Sequence, residues 1–148
     1  MLRIGLISDT HGLLRPEVLA FLEGSDHILH AGDICGPEVL QRLARIAPVT
    51  AVRGNNDRGD WALELRETET VAFAGVRVHM VHDLKQFAGG EPVQVVVSGH
   101  SHKPKVEERG GILFVNPGSA GARRFKLPIS AGELRIDGKR VSAHLVAF

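Results

Sequence analysis

The sequence predicts an α/β protein built on a parallel sheet, and three observations lead there. Its first third alternates short apolar runs with helical apolar spacing, in the order strand, helix, strand, helix, strand. Each of those strands ends in a polar cluster, and open α/β sheets bind ligands at such ends. The remainder reads as further strands joined by glycine-bearing turns.

The first strand covers Leu2, Ile4, Leu6 and Ile7 and stops at Ser8-Asp9-Thr10-His11-Gly12. A helix follows, with Pro16 in its first turn, Val18, Leu19 and Leu22 on its apolar face, and Gly24 past its end. The second strand, about His27 to Ala31, runs into Gly32-Asp33. Pro37 opens the next helix, Val39, Leu40, Leu43 and Ile46 keep a helical spacing, and Pro48 stops it. The third strand, about Val49 to Arg53, ends at Gly54-Asn55-Asn56-Asp57. Right-handed crossovers then place all these C-terminal loops on one edge of the sheet.

Further along, Thr68 to Phe73 and Val76 to Val81 flank Ala74-Gly75 as a hairpin, and the second strand ends at His82-Asp83. Val93 to Ser98 is a buried strand ending at Gly99-His100-Ser101-His102. Lys105 to Arg109 and Ile112 to Val115 flank Gly110-Gly111, and Asn116-Pro117-Gly118-Ser119 is a turn. Gly118 to Pro128 is the longest irregular stretch. The last pair, Gly132 to Ile136 and Arg140 to Val146, is joined by Asp137-Gly138, a strong hairpin signal.

Residues 1–148 fit one domain, long enough to bury roughly 68–70% of the unfolded chain's surface without a metal or disulfide as a staple. A net charge of +1 gives no compositional support for nucleic-acid or membrane-surface binding. No run approaches a membrane span. The lone cysteine, Cys35, makes no internal disulfide and no leader pattern is seen, so the expected compartment is the cytoplasm.

Five strand ends deliver Asp9 with His11, Asp33, Asn55, His82, and His100 with His102. This oxygen and nitrogen donor set exceeds the needs of one ion and suits two that share a carboxylate. Such a pair of cations activates water and clamps a phosphoryl group, so phosphate ester or anhydride hydrolysis is the matching reaction. His100 and His102 share strand parity and both face the site, whereas His79 and His82 differ; His82, at the strand end, is the one assigned.

In this order the motifs Asp9-x-His11, Gly32-Asp33, Gly54-Asn55-Asn56-Asp57, His82 and Gly99-His100-Ser101-His102 resemble those of the calcineurin-like metallophosphoesterases. The short length and the Asn116-Pro117-Gly118-Ser119 turn resemble the small prokaryotic phosphodiesterase branch, to which the retromer scaffold subunit is related. The resemblance implies a four-layer αββα sandwich. It implies Asp9, His11 and His102 on one metal, Asn55, His82 and His100 on the second, and Asp33 bridging. The implied activity is a phosphodiesterase acting on a small phosphate ester, with a metal-bridging hydroxide attacking phosphorus in line. The implied cofactors are two divalent ions, manganese first, with iron, nickel or zinc also suited to the donors. Asp33, Asn55 and Asp57 are the catalytic candidates; Asp57 orients a ligand or, alternatively, caps the turn from Arg58 to Trp61. The alternative function is a protein-binding scaffold on the same fold with weak or no catalysis.

The chain departs from the family pattern in three places. Asn56 stands where many members carry a histidine, and its amide cannot protonate a leaving group. Asp83 replaces a usual glycine after His82. Only Leu84 to Pro92 links that motif to the next strand, with Ala88-Gly89-Gly90 a poor helix, so a sheet face is left to be covered by neighbouring side chains or by a second subunit in a homo-oligomer. His27, His30, His79 and His144 are read as surface or packed histidines, with His30 the best candidate to support a ligand; Cys35 is read as a buried apolar residue. Arg58, Arg123 and Arg124 match phosphate chemistry but read more simply as solvated loop charge.

Overall fold

The computed structural model describes residues 1–148. Two five-stranded sheets pack face to face. The first has the order β10 (Arg140–Ala147), β9 (Ser130–Asp137), β1 (Leu2–Ile7), β2 (His27–His30), β3 (Val49–Ala51). The second has the order β4 (Thr68–Phe73), β5 (Val76–Val81), β6 (Val95–Val97), β8 (Ile112–Asn116), β7 (Lys105–Arg109).

The expected β1–β2–β3 parallel core is present, with α1 (Pro16–Leu22) and α2 (Pro37–Ala44) as its crossovers. Both helices open on the proline the sequence placed there. The sheet is mixed rather than purely parallel, because β9 returns antiparallel beside β1. Strand periodicity does not specify a neighbour, so this pairing was not readable in advance.

Alternation sorts the side chains. Ile4, Leu6, Leu29, Leu134 and Ile136 of one sheet meet Val76, Val78, Met80, Val95, Val97 and Val115 of the other in a dry inter-sheet core. On the opposite face of the first sheet, Ile7 and Ile28 pack with Val18, Leu22, Val39 and Leu43 of the two helices.

The outer face of the second sheet carries a much thinner layer. A single 3-10 turn, Leu84–Gln86, stands where the poor helix of the short connection predicts no more. Leu84 and Phe87 lie over Val81, Val93 and Val96, so the connection's own side chains cover the apolar centre of this face. The fourth layer of the sandwich is therefore reduced to one turn and a phenylalanine.

The hairpins differ in one detail from the sequence reading. Asp137 pairs with Arg140, which makes Gly138-Lys139 the two-residue loop rather than Asp137-Gly138. Gly138, at a φ of 62°, takes the first loop position, which an aspartate there would occupy only with strain.

Candidate metal centre

Four loops that follow parallel strands are laced together by hydrogen bonds from backbone N–H groups. Asp9 N–H donates to the Gly32 carbonyl and His11 N–H to the Asp33 carbonyl, each at 3.0 Å. Gly99 N–H donates to the His82 carbonyl at 2.9 Å, and His100 N–H to Asp9 Oδ2 at 3.1 Å. The spacing is tight: a Cβ on Gly54 would strike the backbone and carboxylate of Asp33, and one on Gly99 would strike Ser8. Glycine is required at both positions for this close approach.

This lacing holds an unusual backbone. Asp9, His11, Asp33, His100 and His102 all have positive φ, between 47° and 70°. Left-handed geometry costs a non-glycine residue roughly 1–2 kcal/mol and persists where the surroundings over-determine it. It turns the side chains of these residues off the strand ends toward one point.

That point is buried. Asp9 Oδ1 has the Nε2 atoms of His102, His11 and His82 around it at 3.4, 3.9 and 3.9 Å. Asp33 Oδ2 lies 3.3 Å from His82 Nε2 and 3.7 Å from His11 Nε2. At the rim, Asn55 Oδ1 is 3.2 Å from His100 Nδ1, and the His82 and His100 rings are 5.2 Å apart. Asp9, His11, Asp33, His82 and His102 thus surround one point, with Asn55 and His100 beside them at the exposed rim. Two overlapping sets are compact enough to hold an ion, Asp9 with His11 and His102, and Asp9 with Asp33 and His82.

The residues fit cations. Asp9 Oδ1 and His82 Nε2, 3.9 Å apart at this point, are buried with no hydrogen-bond partner. A buried acceptor left unmatched costs roughly 1–3 kcal/mol, which a bound cation removes. His82 Nδ1 donates to the Ala31 carbonyl at 2.7 Å, so when neutral it presents the Nε2 lone pair to the centre.

Charge follows the same arrangement. Burial raises the carboxyl of Asp9 above its usual range despite the imidazoles beside it. Burial also pushes Asp33 up, yet the His82 imidazole beside it and hydrogen bonds from Asn56 outweigh it and hold Asp33 well below the usual range. His82 moves up because its pairing with Asp33 and the charge of Asp9 overcome desolvation. His102 moves down, mainly through burial.

Several neighbours take roles the sequence did not reveal. Both oxygens of Asp57 are occupied by backbone N–H groups, Oδ1 by Ile34 and Cys35 at 2.8 Å and Oδ2 by Gly54 at 2.8 Å and Asp33 at 3.0 Å. Asp57 neither caps the turn at Arg58 nor presents a free oxygen; it clamps the loop that carries Asp33. Asn116 donates to the Gly99 carbonyl and Ser119 to the Asp9 carbonyl, so the Asn116–Ser119 turn braces the centre from behind.

His30 is fully buried, accepts from Gly32 N–H, meets Thr10 Oγ1 at 3.1 Å and does not touch Asp33. His79 bonds Thr70, away from the centre, and His27 bonds Thr50. Cys35 is exposed rather than buried, with Sγ 3.7 Å from His11 Nδ1. Partial desolvation by the surrounding loops and the carboxylates of Asp57, Asp33 and Asp9 push the thiol up to about 11, which keeps it protonated. Of the loop arginines, Arg124 acts on His102, lowering its affinity for a proton.

A convergence of this kind at the ends of paired sheets can be compared with known proteins. Residues 2–139 match the calcineurin-like phosphoesterase superfamily domain. The chain belongs to this superfamily. A probable metallophosphoesterase of Methanothermobacter thermautotrophicus is 35% identical, covering 97% of this chain and 91% of its own. Phosphodiesterase YfcE of Escherichia coli is 30% identical, over 93% and 89%. Among solved structures, a vacuolar protein sorting 29 protein of Entamoeba histolytica superposes with a TM-score of 0.76 at 26% identity, covering 99% of both chains. Calcineurin-like phosphoesterases use divalent metals, and the residues at this centre are of the type that holds them.

Proposed function

We propose that this calcineurin-like phosphoesterase hydrolyses phosphodiesters with a pair of divalent ions, held by Asp9, His11 and His102 on one side and by Asn55, His82 and His100 on the other, with Asp33 between them. The observation that carries the reading is Asp9 Oδ1, a buried carboxylate oxygen without a hydrogen-bond donor, ringed by three imidazole Nε2 atoms. The position of Asp33 Oδ2 between His11 and His82 supports its bridging role.

When bound, the ions supply an activated water and neutralise charge on the phosphoryl oxygens. Manganese suits the mixed carboxylate, imidazole and amide donors, as do iron, nickel and zinc. Asn55 directs Oδ1 toward His100 and has its amide N–H free for a phosphoryl oxygen. Asp57 and Asn56 act on Asp33 and fix its carboxylate before substrate arrives. The Asn56 amide, bound to Asp33, cannot protonate a leaving group, so diesters with acidic leaving groups are the favoured substrates. The names of the M. thermautotrophicus and E. coli relatives agree with this chemistry.

The test is hydrolysis of a bis-aryl phosphate with and without added Mn²⁺. Turnover that needs the ion, stops with chelator and falls at least about a hundredfold in Asp33→Asn is expected. A fully metallated Asp33→Asn protein of near-normal activity would remove the bridging role, and no turnover with any divalent ion would favour the scaffold.

A further inference from the structure

Two cavities meet at Asp83 and His100. The larger, about 700 Å³, lies along the outer face of the second sheet beyond the short 3-10 turn. The smaller, about 210 Å³, opens beside Arg53, Asn55 and Gln86 and has no apolar residue in its walls. A phosphodiester leaves its phosphorus by two arms, so a centre flanked by two cavities accepts both, and the unequal volumes assign the bulkier arm to the larger.

The larger cavity has a definite chemistry. Lys85 enters from the turn, and Lys103, Lys105 and Arg109 line the wall of β7 and the loop before it. Only Asp83 and Glu107 oppose these cations. Glu107 is shared by Lys105 at 3.2 Å and Arg109 at 3.6 Å, while Lys85 and Lys103 form no ion pair. A chain whose net charge is only +1 therefore gathers surplus positive charge beside its metal centre. The floor is Phe114, with the Arg109 guanidinium 4.5 Å from the ring centre, a planar surface. A volume of about 700 Å³ is within the range that holds a nucleotide-sized ligand.

We infer that this groove binds the larger arm of the diester and that the arm is a nucleotide carrying at least one further phosphate. The inference rests on the phosphodiesterase reading and names its substrate class. Unpaired lysines recognise the additional phosphate, and the Phe114–Arg109 surface recognises the base. The groove exists because the connection from Leu84 to Pro92 is too short to lay a helix over β7 and β8.

The experiment compares three substrates with the Mn²⁺-loaded protein: a bis-aryl phosphate, a thymidine dinucleotide without a terminal phosphate, and the same dinucleotide with a phosphate at its 5′ or 3′ end. One phosphorylated form is expected to exceed the unphosphorylated one in kcat/KM by about tenfold, the effect of one charge-assisted contact. In the double variant Lys85→Gln, Lys103→Gln that ratio should fall to near one. Hydrolysis of the bis-aryl phosphate with equal rates for all dinucleotides would overturn the groove inference and leave the phosphodiesterase reading standing. If no diester is hydrolysed, that reading fails, and equilibrium binding of the same dinucleotides to chelator-treated protein decides the groove alone. Preference for the terminal phosphate that disappears in the double variant supports it. Equal affinities, or tighter binding of an acidic peptide, overturn it.

Discussion

Asn56 holds the carboxylate of Asp33 from two sides, its backbone N–H donating to Oδ1 and its side-chain amide to Oδ2, both at 2.9 Å. The residue that sequence comparison marks as a missing acid is therefore a clamp on the central carboxylate. Asn56→His keeps the backbone bond and exchanges the side-chain amide for an imidazole able to protonate a leaving group. Turnover of alkyl esters should rise relative to aryl diesters, while Mn²⁺ binds about tenfold more weakly. An unchanged substrate ratio would show that leaving-group protonation does not limit the reaction.

Asp57 accepts from four backbone N–H groups, three of them on the loop that carries Asp33 and one, Gly54, on its own. In Asp57→Ala those donors lose their acceptor in a buried setting, so stability should fall by roughly 3 kcal/mol or more. Metal affinity should fall with it, by about ten- to a hundredfold, because the loop that aims Asp33 is released. Denaturant unfolding and metal titration read the two effects separately. Loss of stability with metal affinity intact would remove the positioning role.

His30 makes the fold acid-sensitive. Burial, with the charge of His82 adding to it, lowers its proton affinity from 6.5 to about 3. Between those values the unfolded chain binds a proton that the folded chain does not, so stability rises with pH and is lost as pH falls below 6.5. The loss from this one group is at most about 1.4 kcal/mol per pH unit. His82, shifted upward, contributes with the opposite sign, so the comparison of interest is wild type against His30→Gln in chelator-treated protein. The variant should show a shallower pH dependence, and an identical slope would place the sensitivity elsewhere.

Ala74 and Gly75 form the two-residue loop between β4 and β5 with φ of 51° and 86°. Both positions are left-handed, which suits asparagine followed by glycine better than alanine followed by glycine. Ala74→Asn should raise stability by roughly 1 kcal/mol without altering metal binding. A lower unfolding midpoint would mean that the alanine is held by contacts outside the turn.

The strands and turns of this chain were legible because alternation and glycine placement are local properties. So was the gathering of polar residues at one edge, since the pattern of a buried strand ending in a polar cluster repeats along the chain. The left-handed backbone at Asp9, His11, Asp33, His100 and His102 was not legible, because it is imposed by hydrogen bonds between loops far apart in the chain. For the same reason the sequence leaves Asp57 open between orienting a ligand and capping a turn: the partners that decide it lie on the loop after β2, more than twenty residues earlier. Cys35 was read as buried from residue type alone, whereas its loop points it outward beside His11. The basic groove depends on which strand lies at the edge of the second sheet, a matter of pairing rather than of composition.

The central claim is that seven side chains hold two cations with Asp33 between them. Calorimetric titration of chelator-treated protein with Mn²⁺ tests it most directly. Two ions per chain are predicted, with both sites weakened in Asp33→Asn. One ion per chain, or two whose affinities are indifferent to that substitution, would contradict it.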